Sequence, residues 1–578
     1  MKKILVIMQA VILVVSLSSC ERFLSYPPQG AASEENLNNP EGAEKLVIAA
    51  YASLGNDHWH EPYTTLWPYG NVRAGDAYKG GLGAADQGEY HQYEVFSTIV
   101  TDMDKANRIW SRLFLGIQRA NSALGVIAAI PDDVYPEKQE RIAEMHFLRG
   151  HFSFILKMLF KQIPIIREGL TSDEINLVSN IEYSNDEQWS KIGEDFESAI
   201  ANLPSERTDR GRPNTTVAKA YLAKVRLYQA YEQDEQNNVI NINQTRLEEV
   251  VRLVDEVINS GEFGLSEDYA MNYLWEYDNG IESIFAVQRS KDDGSPIGRV
   301  DMSTALNYPM YPGYGCCSFH RPTQNLVNAF QTNGNGLPNF EGFNQTILRD
   351  AQDFIDHSVD PRLDHTVGIP THPYKYQQDV IYSAEQFTRE PATYGPYSTM
   401  KEVQQLDCPC LTTAKTYAYP TSSKNNDVIK YSDILLWKAE ALIELGRQEA
   451  ALPLINAIRM RAQNSTGRLT FADGKPIANY HIESYQPGNN IEWNQENARK
   501  ALRWERRLEF ALEGIRFFDL VRWGIASETL NTYFEIEKTR VPHLDAAHFT
   551  KNRDEYLPIP ERQIQYSKGI YEQNYGWN

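Results

Sequence analysis

Apolar positions in residues 427–523 repeat at helical spacing. In DVIKYSDILLWKAEALIELG, Leu435, Ala439, Leu442 and Gly446 follow at intervals of four, three and four, which keeps side chains on one helix face. Gly446 supplies a stop, because glycine accepts left-handed backbone just past a helix end. RQEAALPLINAIRMRA then places Ala451, Leu454, Ile455, Ile458 and Ala462 on one face. Pro453 is expected in or near its first turn, since deeper in it removes a hydrogen bond and crowds the preceding turn. The short connection makes the two helices antiparallel, and small Ala439 and Ala441 permit close approach. Neither helix buries its stripe alone, which is the logic of stacked helix-pair repeats. A third helix is expected through ARKALRWERRLEFALEGIRFFDLVRWG, with Leu502, Leu508, Ala511 and Leu512 on its apolar side.

The same spacing recurs upstream. Helices are expected over 40–55, 104–130, 137–160, 189–203, 214–231 and 245–260, the first opening on Pro40 and the last stopped by Gly261. ESIFAVQRS reads as a strand. Two long stretches keep no period. One, 58–100, holds Trp59, Tyr63, Trp67, Tyr69, Tyr78, Tyr90 and Tyr93 among glycines; the other, 291–426, is rich in Gly, Pro, Asn and Tyr. Long irregular segments in a compact protein are functional or disordered, and this aromatic content argues against disorder. The fold class is therefore mainly α. A TPR-like helix-pair superhelical scaffold (40–57, 101–260 and 427–525) carries large irregular loop insertions (58–100 and 291–426) and a little β.

The third C-terminal helix is also dense in charge: Arg503, Glu505, Arg506, Arg507, Glu509, Glu513, Arg516, Asp519 and Arg522. Carboxylates beside arginines occur in active sites, but structural ion-pair networks look the same. We read these as a lattice locking one helix pair to the next.

Here the residues carry a resemblance. ALRWERRLEFALEGIRFFDLVRWG resembles the C-terminal signature of the SusD/RagB family, and DVIKYSDILLWKAEAL with INAIRMRA is similar to its preceding helix pair. GRPNTTVAKAYLAKVRLYQAY, WSRLFLGIQRANSAL and the closing YLPIPERQIQYSKGIYEQNYGW also look like the family. AEMHFLRGHFSFILKMLF departs from the usual form at Met145, His146 and Gly150, all helix-compatible. The resemblance runs from Cys20 to Trp577 and is weakest in the two insertions. It implies a surface lipoprotein of Bacteroidetes, seated on a SusC-like TonB-dependent outer-membrane transporter and capturing a nutrient, usually an oligosaccharide.

Charge narrows the partners. The 578 residues carry a formal charge of −21, which argues against nucleic acid and against an anionic membrane surface. Residues 1–19 read as a secretory signal, with Lys2 and Lys3 ahead of an apolar run. LSSC resembles a bacterial lipobox in which Cys20 is lipidated, so a tether (20–39) would anchor a single domain (40–578) to a membrane; the family resemblance implies that this is the cell outer membrane, with the domain exposed at the surface. Four cysteines remain: Cys316, Cys317, Cys408 and Cys410. An exported protein meets an oxidising compartment. Connectivity is not readable from sequence; a link between the 316 and 408 loops is the preferred arrangement. Adjacent and C-x-C spacings match zinc hooks poorly.

Sugars are held by aromatic faces and by planar polar groups that bridge hydroxyl pairs, in a cleft with apolar walls. Two stretches supply both. One gives Trp67, Tyr69, Asp76 and Tyr78; NYPMYPGYGCCSFHR gives Tyr308, Tyr311, Tyr314 and Phe319. These are the candidate carbohydrate-binding residues. No cofactor, metal or catalytic residue is expected: the Asp292–Asp293 and Asn333–Asn335 clusters do not complete a calcium loop, and no nucleophile or metalloprotease signature is readable. A surface glycoside hydrolase would need two carboxylates across a sugar site, for which Asp76 and Glu89 are the loop acids to nominate. Peptide cargo on the same fold is the other alternative; aromatic-plus-Asn/Asp loops favour sugar.

Overall fold

Asn39 starts the first helix. Its side chain accepts from Gly42 N at 3.0 Å and Pro40 fills the first turn of α1 (Pro40–Ala52), where a missing N–H costs nothing. The computed structural model describes residues 37–577, apart from 208, 296–297 and 413–418. The expected signal segment and the lipidated Cys20 lie outside the described residues.

The stretch 58–100 contains β1 (Ala77–Gly80) and α2 (Gly88–Val95). A long antiparallel pair follows, α3 (Asp104–Ala129) and α4 (Lys138–Phe160). From Ala143 to Phe160 nearly every residue of α4 is buried, because α3 covers one side and α5 (Asn185–Asn202) the other. Ser184 and Glu187 form a reciprocal capping box at the start of α5. α6 (Thr215–Ala230) is capped by Asn214. The hairpin β2 (Tyr231–Gln233) and β3 (Val239–Ile242) turns the chain into α7 (Gln244–Asn259).

The irregular region then leaves the array between β4 (Ser283–Val287) and β6 (Asn426–Lys430), and β5 (Phe319–Pro322) lies inside it. β4 and β6 pair antiparallel, with Ser283 opposite Lys430 and Val287 opposite Asn426. The insertion is thus closed at its base. α8 (Tyr431–Glu444) packs directly on α7, and α9 (Gln448–Asn464) and α10 (Gln495–Glu509) continue the stack. Helix pairs on both sides of the insertion form one mainly α scaffold. Among the described residues strands pair only two at a time.

Local chemistry explains the stops. Gly446 has φ +73°; its N–H reaches Ile443 O and the Arg447 N–H reaches Leu442 O at 2.7 Å. These are the two bonds of a Schellman C-cap. Pro453 differs from expectation, standing at the sixth position of α9 rather than in its first turn. It is exposed, as is Glu449 whose carbonyl loses its partner, so water replaces that bond.

The expected third helix is two. α10 ends at Glu509 and α11 (Arg516–Arg522) begins after a turn in which Leu512 and Gly514 have positive φ; α12 (Ala526–Glu537) follows. The turn brings Asp519 back to Arg506 at 2.8 Å and keeps it on Arg522 at 2.8 Å. Arg522 also pairs with Glu440 of α8. Arg461 of α9 joins Glu282 at 2.9 Å and Glu509 of α10. Arg362, from the insertion, meets Glu505 at 2.6 Å and Asp360 at 2.7 Å. The charge pattern is a buried lattice tying α8, α9, α10, α11 and the insertion together. Such pairs set geometry more than net stability, but removing one partner strands a buried charge.

Candidate functional site

The two stretches singled out in the sequence meet as a two-stranded ladder. β1 and β5 run antiparallel, with Ala77 opposite Pro322, Tyr78 opposite Arg321 and Gly80 opposite Phe319. Backbone pairing brings them together and, in doing so, buries most of their side chains.

Trp67 is fully buried, its indole N–H donating to Ser303 O at 3.2 Å. Tyr69 is fully buried against Tyr93. Tyr78 is buried, with its hydroxyl on the Glu537 carboxylate. Phe319 lies beneath Lys79, whose ammonium sits 5.0 Å above the ring. Tyr308 and Tyr314 belong to a separate aromatic core, Tyr314 donating to Gln404 O at 2.7 Å. Asp76 has no exposure and pairs with Arg507 of α10 at 2.7 Å. None of these presents a free face to solvent. The stretch 58–100 therefore differs from the surface loop expected: its glycines let backbone and rings approach, and its aromatics fill core.

Tyr311 is the exception. It is half-buried and stacks on Phe387, centroids 4.3 Å apart and planes within 24°. Met310 N donates to Phe387 O at 2.9 Å and Gly315 N to Pro309 O at 3.2 Å, which fixes the loop beneath the ring. Phe387 also contacts Tyr382 at 4.6 Å. Tyr382 in turn lines a cleft of about 540 Å³ with Tyr397, the edge of Tyr78, Arg349, Asp350 and Glu385. The tyrosine hydroxyls at its floor are already engaged, Tyr382 on Pro396 O and Tyr397 on Leu348 O. The groups free to meet a ligand are the exposed Arg349, Asp350 and Glu385 at the rim. One segment, 382–397, thus separates an aromatic platform from a polar cleft. Sequence reasoning passed over it, although YSAEQFTREPATYGPY carries the same mixture of rings, Gly and Pro as the stretches it chose.

A buried hydrogen-bond chain links the first insertion, the turn after α10 and the second insertion. Asn71 Oδ1 accepts from Gly514 N at 2.9 Å, and Asn71 Nδ2 lies 2.9 Å from His320 Nε2. His320 Nδ1 lies 2.9 Å from Glu402, which also accepts from Asn307 at 3.0 Å. Because the Asn71 amide donates, Nε2 accepts and the proton sits on Nδ1, facing the carboxylate.

The nominated hydrolytic pair is otherwise employed. Asp76 holds Arg507, while Glu89 accepts from the N–H groups of Asp104 and Lys105 at 3.0 and 2.7 Å, capping α3. The cysteines also depart from expectation. Cys316 pairs with Cys317 and Cys408 with Cys410, so no disulfide joins the two loops. The loops are joined by packing instead, Tyr311 and Tyr314 sharing one cluster with Leu406, Cys408 and Cys410.

Comparison with known proteins adds the last observation. A family model described as the SusD family matches residues 281–577. A second, described as starch-binding associating with outer membrane, matches residues 73–227. SusD-like protein P25 of Formosa agariphila is 23% identical over 97% of each chain. A SusD-like protein of Bacteroides ovatus is 26% identical over 50% of this chain and 49% of its own. Among solved structures, a SusD homolog from Bacteroides thetaiotaomicron superposes with a TM-score of 0.68 at 19% identity, covering 95% of this chain and 100% of that one. A laminarin binding SusD-like protein superposes with a TM-score of 0.66 at 23% identity, covering 93% and 99%.

Proposed function

The chain belongs to the SusD family, and from that premise we propose that it captures an oligosaccharide at the cell surface without altering it. It hands this cargo to a SusC-like TonB-dependent outer-membrane transporter and is held to the outer membrane by lipid on Cys20. The observation that carries the reading is Tyr311, a half-open ring stacked on Phe387 beside a cleft rimmed by Arg349, Asp350 and Glu385. A ring face takes the C–H side of a pyranose, and planar guanidinium and carboxylate groups bridge neighbouring hydroxyls. Support also comes from a structural neighbour that binds laminarin.

Asp76 and Glu89, the loop acids nominated from sequence for hydrolysis, are taken up in structural contacts, and a glycosidase would have to use the rim acids Asp350 and Glu385 instead. The test is retention of the soluble form, lacking the segment through Cys20, in gels containing a panel of polysaccharides, with reducing-end release assayed alongside. Retardation by one glycan without product is expected. Product release overturns the non-catalytic reading, and absence of retardation by every glycan shifts the cargo to peptide.

A further inference from the structure

On the helical scaffold, away from the insertions, α3 and the segment 166–176 enclose a groove of about 770 Å³. Phe114, Ile117 and Tyr571 give it apolar lining beside the amides of Gln118, Asn121 and Gln563. Large apolar side chains continue outward from it. Leu170 is 37% exposed, Leu177 71%, Ile181 44% and Tyr566 71%. The 177–181 segment is tied to the C-terminal segment: Asn180 Nδ2 donates to Glu572 O at 2.9 Å and Glu572 N to Asn180 Oδ1 at 2.9 Å. Tyr566 stands one helical turn beyond Gln563, which lines the groove. Exposed apolar side chains gathered around a groove mark an interaction surface.

The rim is mainly acidic, although its C-terminal wall adds Arg562 and Lys568 against Glu561 and Glu572. Residues 168–187 hold six acids, Glu168, Asp173, Glu174, Glu182, Asp186 and Glu187, and no Lys or Arg. The base that lines the groove, Arg167, is already held by Asp195 at 2.6 Å. Glu174 is kept below the usual carboxylate range by hydrogen bonds from Thr171, so it is ionised. Apolar lining and exposed aliphatic side chains inside a mainly acidic rim fit a segment that presents apolar anchors between lysines or arginines. Charge argues against two other occupants. A second copy of this chain carries −21, and residues 21–36 of its own tether hold three acids against one base.

We propose that this groove docks a basic, apolar-anchored segment of a partner polypeptide. The site is separate from the glycan face and stands whether or not that reading holds. The test places photoreactive p-benzoylphenylalanine at Gln118 in the full chain, in membranes of the producing cell, with the same label at exposed Lys475 as control. A discrete adduct is expected from position 118 and not from 475, mapping to a peptide of net positive charge with at least two large apolar residues. The exposed pair Asp173→Lys and Glu182→Lys should lower its yield at least fivefold with the melting temperature unchanged. Equal labelling from both positions overturns the proposal. So does an adduct confined to glycan or to a second copy, a net acidic peptide, or a yield indifferent to charge reversal.

Discussion

Arg507 Nη2 lies 2.7 Å from Asp76 Oδ1, joining the last turn of α10 to the first insertion just ahead of β1. The two residues are 431 positions apart, and both are buried. An acid that reads from sequence as a sugar ligand is a structural counter-ion. Asp76→Ala should cost about 3–5 kcal/mol, because it leaves a buried guanidinium with only Asn325 as a side-chain partner. Denaturant unfolding of Asp76→Ala, Arg507→Ala and the double variant checks this. Additive losses in the cycle would show the pair to be uncoupled.

Gly70 and Gly514 meet backbone to backbone. A Cβ on Gly70 would fall inside the Gly514 carbonyl oxygen, and one on Gly514 inside the Thr65 carbonyl. Gly514 also has φ +77°. Gly514→Ala combines left-handed strain with a collision against main chain, which cannot swing aside as a side chain can, so a loss of at least about 3 kcal/mol is expected. A variant as stable as the parent would mean that the two segments do not touch in solution.

Trp67 and Tyr311 separate support from contact. Trp67→Ala should destabilise by about 3–5 kcal/mol, as truncation of a fully buried indole does. Tyr311→Ala should cost about 1 kcal/mol, the worth of one stacked pair, yet weaken retention by the cognate polysaccharide about tenfold. The comparison is made by melting and by affinity electrophoresis on the same preparations. Unchanged retention in Tyr311→Ala removes that ring from the site.

Buried Glu555 and half-buried Glu513 give opposite pH dependences. Burial pushes Glu555 from 4.5 up to about 7. Its folded form holds a proton the unfolded form has lost, so its contribution is whole below about pH 4.5 and is lost as pH rises through 7. Burial also raises Glu513, but Lys401 and Lys430 at 2.6 and 2.7 Å outweigh it and bring the group to about 2. That contribution is present above pH 4.5 and fades as pH falls toward 2. Glu555→Gln should therefore gain about 2–3 kcal/mol on the parent between pH 5 and pH 8. Parallel stability profiles for the two proteins would contradict the assignment.

Each disulfide closes a very short loop, spanning one or two residues in sequence. Loop-closure entropy then limits each to about 1.5 kcal/mol, against about 4.6 kcal/mol for a link between the two loops. Mild reduction should lower the melting temperature only slightly. Peptide mapping under non-reducing conditions should yield no fragment joining the 316 and 408 loops.

The sequence by itself determined the scaffold. Apolar stripes at helical spacing and the stop at Gly446 are local signals; the cap at Ser184 is local too, but the expected helix begins at 189, four residues past its observed start at 185. The long helices from 104 to 260 and from 431 to 464 are readable from their own neighbourhoods, whereas the single turn Ser172–Ile175 is not. The lattice role of Glu505, Arg506, Glu509 and Asp519 was legible for a similar reason, since alternating charges on an amphipathic helix imply partners on neighbouring helices.

What only the tertiary structure decided is which side chains face outward. Trp67, Tyr69, Tyr78 and Tyr308 have the composition of a sugar site, but an aromatic ring satisfies a core and a ligand platform equally well. The choice between them rests on long-range pairing, β1 with β5 and β4 with β6, and on the approach of Gly70 to Gly514. Those contacts join residues hundreds of positions apart and leave no period in the chain. They bury the rings beside the ladder, and Tyr311 stays partly open because its loop folds outward over Phe387.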